Sequence, residues 1–296
     1  MSGLVLVAGG TGRLGTLVVA RLVARGVEVR VLTRDPRRAA HLLGPDADVD
    51  VVVGDVRNRA DTLRASAGAE VLVSAVHGFA GPGGVSPASV DRDGNVNLVE
   101  GARSVGARVV LISGVGASHD SPMELFRMKY AAETTLAASG VPATIVRPTA
   151  FLELWIDLLR RSAGRSGRPL VFGHGDNPIN FVSVRDVAAL VDRLATDIDT
   201  CGQTLQIGGP DQLTLNDLAR LVAAESETIK PPRHVPPAAL RVIAGTLGQV
   251  RPALARQARA ALVMDRDDMT LHDLTVRAGY PDLPFTSASD LLTQGV

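Results

Sequence analysis

The sequence predicts an α/β protein, a doubly wound parallel sheet followed by a smaller lobe. Three observations predict it. The first two-thirds of the 296 residues alternate short, near-continuous apolar runs with stretches of helical periodicity. Apolar runs of this kind fit parallel strands covered on both faces. Glycines at positions 9, 12 and 15 stand between the first run and the first helical stretch.

The elements follow in order. Leu4–Ala8 reads as the first strand. Leu14–Ala24 is a helix with Leu14, Leu17, Val18, Leu22 and Val23 on its apolar stripe. Val27–Thr33 is the second strand, and Asp35-Pro36 then supplies an N-cap and a helix-opening proline. Val49–Val53, Glu70–Ala75, Arg108–Ser113 and Thr144–Arg147 are four further strands. Val90–Val105 and Glu124–Ser139 are helices, and Gly26, Gly106 and Gly140 are C-cap positions. His77–Pro87, rich in Gly and Pro, is a loop. After Pro148 the rhythm changes. Phe151–Ser162 reads as a helix, Leu170–Phe172 as a short strand, Phe181–Thr196 as a strand entering a helix, and Thr204–Ile207 as a strand. Lys230–Pro237 contains four prolines and reads as a linker before helical stretches in 238–264. The expected organisation is a dinucleotide-binding domain over 1–150, with 179–208 returning to it, and a smaller lobe over 151–178 and 209–296.

Composition excludes several classes. Lys+Arg and Asp+Glu both number 31, so there is no basic excess for nucleic acid or an anionic membrane surface. Aromatic residues make up 3% of the chain, too few for a base-stacking surface. No apolar run approaches the roughly 18 residues of a spanning helix. The first residues show no basic region or cleavage site, so no signal peptide is expected. The single Cys201 excludes an internal disulfide and a cysteine-rich zinc site, and no His/Asp/Glu cluster has metal spacing. The expectation is a cytoplasmic protein whose partner is a small-molecule substrate, with no metal.

The glycine turn carries the clearest chemistry. Gly9, Thr11, Gly12, Arg13, Leu14 and Gly15 join a strand to a helix. There the backbone approaches a pyrophosphate, and the helix N-terminus offers free N–H groups and the positive end of its dipole. The second strand runs into Arg34, and an arginine at that place favours a 2′-phosphate. Arg13, Arg37 and Arg38 add positive charge, so NADP(H) is expected over NAD(H). Asp35 is the competitor, as ribose ligand or as N-cap to Pro36. Asp55 and Val56, after the third strand, fit beside an adenine, and Asp55 also fits as a helix cap.

These residues resemble the NmrA-like branch of the atypical short-chain dehydrogenases/reductases. The resemblance covers most of the chain and rests on an ordered set of segments. They are VAGGTGRLG (7–15), VLTRDP (31–36), GDV (54–56), VDRDGNVNLVEGARSVGARVVLISGVGA (90–117), MKYAAETTLAASGVPATIVRPTAF (128–151), INFVSVRDVAAL (179–190) and LQIGGPDQLTLNDLARLVA (205–223). It implies a Rossmann fold with a small C-terminal substrate lobe and a nicotinamide cofactor across the strand ends. It further implies that Ser113 lies near the nicotinamide and that Lys129 binds the nicotinamide ribose hydroxyls. Pro148 and Thr149 would pass the carboxamide, and Ser74, Ala75 and Val76 would cover the cofactor.

One departure stands out. The wider superfamily uses a tyrosine four residues before the lysine, where the two share a helical face. Here that position is Leu125, and Tyr130 lies about 100° around the helix from Lys129. A proton donor must come from elsewhere. His77, after the fourth strand, and Lys129 itself are candidates, with Ser113 as a hydrogen-bonding orienter; His119 and Asp120 are candidate substrate contacts. Phe151 and Trp155, with Leu152, Phe172 and Phe181, are candidates for an apolar substrate pocket. The function expected is an NADPH-dependent reductase of a small apolar or aromatic carbonyl, enone or quinone. The alternatives are a non-catalytic NADP(H)-sensing regulator and a cofactor-retaining isomerase or cyclase.

Overall fold

The computed structural model describes residues 3–44, 47–81, 84–197, 199–224 and 230–294. The chain divides into two compact units, Met1–Arg147 with Val187–Gln206, and Pro148–Asp186 with Ile207–Val296.

The first unit alternates strand and helix: β1 (Val5–Ala8), α1 (Arg13–Ala24), β2 (Val29–Thr33), α2 (Pro36–Leu43), β3 (Val49–Val53), α3 (Arg59–Ser66) and β4 (Val71–Ser74). A π-helical turn, Pro87–Arg92, then leads into α4 (Asp93–Val105), β5 (Arg108–Ile112), α5 (Glu124–Ala138) and β6 (Ala143–Pro148). The second unit contributes β7 (Ala150–Phe151), α6 (Leu152–Ala163), β8 (Leu170–Phe172) and β9 (Ile179–Val182). Next come α7 (Val184–Thr196), β10 (Thr204–Ile207), β11 (Gln212–Leu213), α8 (Leu215–Ala224), β12 (Arg233–Val235), α9 (Pro237–Thr246), α10 (Pro252–Met264), α11 (Thr275–Gly279) and α12 (Ala288–Thr293).

The main sheet has seven strands in the order β10-β6-β5-β4-β1-β2-β3. It is the doubly wound α/β sheet expected. β1 lies centrally, parallel to β2 on one side and β4 on the other, with Val5 opposite both Val29 and Val71. The order reverses at β1 and β4, and in such sheets ligands bind beyond the carboxyl ends of the strands at that point. Leu6, Leu72, Leu98 and Leu136 are fully buried in one cluster beneath the helices. Each such side chain contributes roughly 1.5–3 kcal/mol of burial.

Four features differ from the sequence expectation, each for a physical reason. β3 is not covered on both faces. It ends the strand order, and its Val51 and Val53 are exposed. The helix expected from Val90 starts as the π turn, and α4 proper begins at Asp93. Asn95 Nδ2 donates to the Asp91 carbonyl at 2.7 Å and so satisfies an acceptor where the register changes. The stretch expected to return to the first unit from 179 does so from Val187, because β9 pairs with β7 and β11 in a separate three-stranded sheet. The proline-rich linker contains β12, parallel to β8. Its prolines flank the three-residue strand, where their missing N–H groups disturb no ladder bond. Pro82 and Gly83 of the expected loop lie outside the described residues.

Candidate functional site

The turn from β1 to α1 is shaped by backbone crowding. Gly9 has φ +87°, and a Cβ there would lie 2.6 Å from the Ala75 carbonyl oxygen. A Cβ on Gly15 would lie 2.1 Å from the Gly9 carbonyl oxygen. Gly12 is the N-cap of α1, yet no side chain caps it and no acidic residue occupies the first turn. A helix N-terminus left without its own cap, and lined by glycine, fits a phosphate as its capping group. Thr11 is half-buried and its carbonyl accepts from Arg38 Nε at 3.3 Å, which brings α2 to the glycine turn. Leu14 is buried and Arg13 is exposed.

At the end of β2, Arg34, Arg37 and Arg38 are exposed. Asp35 caps α2 by accepting from the Arg37 and Arg38 amides at 3.0 and 3.1 Å. After β3, Asp55 accepts from the Arg57 amide at 2.9 Å and from its guanidinium at 2.6 Å. The Arg57 guanidinium holds the Asp55 carboxyl below the usual carboxylate range, against the opposing effect of partial burial, and Arg34 adds to the lowering. Val56 packs against the core and its carbonyl accepts from Asn97.

The ends of β4 and β5 carry a buried polar network. Ser74 Oγ donates to Asn95 Oδ1 at 2.5 Å. Ala75 and Val76 continue the chain, Val76 buried and Ala75 partly so. Lys129 of α5 is buried, donates to the Ile112 carbonyl at 3.0 Å, and pairs with Asp91 at 3.2 Å. Asp91 is completely buried. Burial pushes its carboxyl up, but the Lys129 ammonium, with His77 and the Gly78 amide, outweighs this and holds it below the usual range. Ser113 follows β5. Its hydroxyl is buried and has no hydrogen-bond partner among the described residues. Leu125 is half-buried, with no polar atom to offer on its side chain.

Sequence reasoning missed Asp91 and Asn95. The available signal was spacing: both fall in register with Leu98 and Ala102 on the buried stripe of the helix, where a polar residue must have a partner. His119 and Asp120 pair with each other at the surface, apart from this network.

In the second unit, Pro148 is buried and Thr149 donates to Asn180 Oδ1 at 3.0 Å. The aromatic candidates separate. Leu152 and Phe181 are core residues, 1% and 2% exposed. Phe172 packs on the cluster of Leu240, Ala244 and Ala258, so it too is structural. Phe151 and Trp155 remain half-exposed, with the Trp155 ring edge-on to Phe181. Among the described residues, no group of His, Cys, Asp and Glu is arranged to hold a metal, and no helix is long and apolar enough to cross a membrane.

A doubly wound sheet with an uncapped glycine turn at its switch point defines a dinucleotide-binding protein. Residues 9–197 match the NAD(P)H-binding family, and the chain belongs to that family. Among its relatives is an NAD(P)H azoreductase of Xenophilus azovorans, 27% identical over 78% of this chain and 76% of that protein. A ceramide reductase of Caulobacter vibrioides is 34% identical over 50% of this chain, which spans under half, 46%, of that relative. The fold also matches an NADPH-dependent quinone oxidoreductase of Escherichia coli solved with NADPH. The TM-score is 0.77 and the identity 20%, over 98% of this chain and 99% of that one.

Proposed function

We propose that the protein is an NmrA-like, NADPH-dependent reductase of a small apolar or aromatic carbonyl, enone or quinone, working in the cytoplasm. The observation that carries the cofactor side is the glycine-lined, self-uncapped N-terminus of α1, set among Arg13, Arg34 and Arg38. Gly9, Gly12 and Gly15 make room for the pyrophosphate, the α1 amides bind it, and Arg34 pairs with the 2′-phosphate. Asp55 and Val56 border the adenine. Lys129 has three N–H donors, of which the Ile112 carbonyl engages one while the ammonium pairs with Asp91 by charge; a further donor suits a ribose hydroxyl. The unpartnered Ser113 hydroxyl suits the nicotinamide or the substrate. When bound, the cofactor supplies a hydride. Ser74, Ala75, Val76, Pro148 and Thr149 complete its surroundings, and Phe151 and Trp155 meet the apolar body of the substrate.

Without a tyrosine at position 125, the reaction favours substrates whose anion after hydride addition is already delocalised. A phenolate or enolate depends less on a positioned acid than a simple alkoxide does. Anaerobic mixing of the protein and NADPH with quinones, enones and aldehydes, followed at the reduced-nicotinamide band, tests this reading. Quinones and enones should be reduced in preference to unactivated ketones. The aliphatic Leu125 favours a second reading, a sensor of cofactor redox state. Absence of any NADPH consumption, with affinities that separate NADP⁺ from NADPH, would select the sensor.

A further inference from the structure

The proton that must accompany each hydride has no donor at position 125, and the structure contains another arrangement that fits the task. This inference rests on the reductase reading. Asp91 Oδ1 lies 3.2 Å from Lys129 Nζ and 3.6 Å from His77 Nδ1. Its Oδ2 accepts from the Gly78 amide at 2.9 Å. One buried carboxylate therefore faces a buried ammonium on one side and the imidazole of the loop after β4 on the other.

The two nitrogen bases flanking Asp91 are not equivalent. Lys129 is enclosed, its side chain 8% exposed. Loss of its proton would strand the Asp91 charge in the interior, an arrangement that is strongly destabilising. His77 has 52% of its side chain at the surface, so water can return a proton to it. Its ring stacks near Phe79, with centroids 6.1 Å apart and an interplanar angle of 26°. At 3.6 Å the two are not hydrogen-bonded, but the field of a buried carboxylate beside Nδ1 favours the tautomer that carries hydrogen there, which leaves Nε2 as the nitrogen that exchanges protons.

We propose that His77 is the proton donor of the reductase, that Asp91 is its positioning residue, and that Lys129 is the fixed charge which completes the pair. The substrate receives a hydride, two electrons and one hydrogen, from the dihydronicotinamide of NADPH. The anion so formed takes the Nε2 proton of the His77 imidazolium. Neutral imidazole and NADP⁺ remain, and water restores the imidazolium at the exposed ring.

The test has two arms on the full chain. In the first, the nitrogen NMR shifts of the His77 ring are read in the cofactor-free protein above neutral pH. The proton should reside on Nδ1 in the wild type and move to Nε2 in Asp91→Asn. In the second, NADPH oxidation is followed with naphthoquinone, cyclohexenone and benzaldehyde for wild type and His77→Gly. General-acid catalysis is worth about a hundredfold or more in rate, so His77→Gly should lose about that in kcat with the electrophile most dependent on an acid. Its affinity for NADPH, measured by calorimetry, should be unchanged, and added imidazole should restore turnover. A wild-type ring with its proton on Nε2, or turnover that His77→Gly leaves intact, overturns the assignment and leaves the reductase reading standing. A loss that imidazole does not restore also overturns it. NADPH binding without consumption of any electrophile overturns the reductase reading and this assignment with it.

Discussion

Two strand-to-helix turns at the head of the sheet solve the same problem in opposite ways. Both must satisfy the free amides of a helix N-terminus. The β2–α2 turn does so internally: Asp35 accepts from Arg37 and Arg38, and Pro36 opens the helix. The β1–α1 turn does not. Gly12 offers no side chain, and no acidic residue enters the first turn of α1. An N-terminus completed from within belongs to folding, whereas one left for an outside anion belongs to binding. The difference is local, because β1 and β2 are adjacent parallel strands of one sheet.

The comparison breaks most severely at the glycines. Gly15→Ala would push a Cβ against the Gly9 carbonyl, so the turn must shift. Overpacking of that kind costs roughly 1–3 kcal/mol, and both Tm and NADPH affinity should fall. Gly12→Val separates the two properties. Its Cβ would stand 3.2 Å from the Gly9 oxygen, a contact a small adjustment relieves. Cofactor binding should vanish while the circular dichroism spectrum stays that of the native fold. Unchanged NADPH affinity in that folded variant would show that the turn is not the phosphate site.

The next effect belongs to Arg34. A charge-assisted hydrogen bond to a phosphate is worth roughly 1.5–3 kcal/mol, so Arg34→Ala should weaken NADPH binding about tenfold or more. NADH binding should barely change; equal losses for both would remove the 2′-phosphate contact from the reading. Asp35→Ala tests the other turn. Loss of an N-cap costs about 1 kcal/mol, so urea unfolding should shift modestly while both cofactors bind as before. A selective loss of NADH affinity in Asp35→Ala would instead make it a ribose ligand.

The smallest effect concerns acid. Asp55 titrates below its unfolded value of 3.8 because Arg57 bonds it. A lowered carboxyl contributes stability above the unfolded value and loses it as pH falls through the folded one. Arg57→Ala should therefore reduce stability slightly near neutral pH and not at all in strong acid. A stability difference that persists in strong acid would mean that Arg57 acts through packing alone.

Much of this unit was legible before its structure. Parallel strands buried on both faces announce themselves as apolar runs, and glycine spacing marks a turn whatever its ligand. The Asp91 network was not legible in the same way. Its meaning depends on Lys129, His77 and the Gly78 amide, which tertiary folding alone brings to one carboxylate. The aromatic residues were ambiguous for a related reason. Phe181 and Trp155 have similar chemistry, and only burial separates a core ring from one that water reaches.

β3 ends the strand order, and among the described residues one side of its backbone has no neighbouring strand. It is written VDVVV, with Val53 half in water. Such a border is an open template on which a second chain can lay a strand. Asp50, second of the five residues, interrupts the valines and is held by Arg30 at 2.6 Å, so a fixed ion pair stands within the template. Four valines without that charge would make a stickier ribbon, so Asp50 serves to blunt the border of the sheet rather than to build its core.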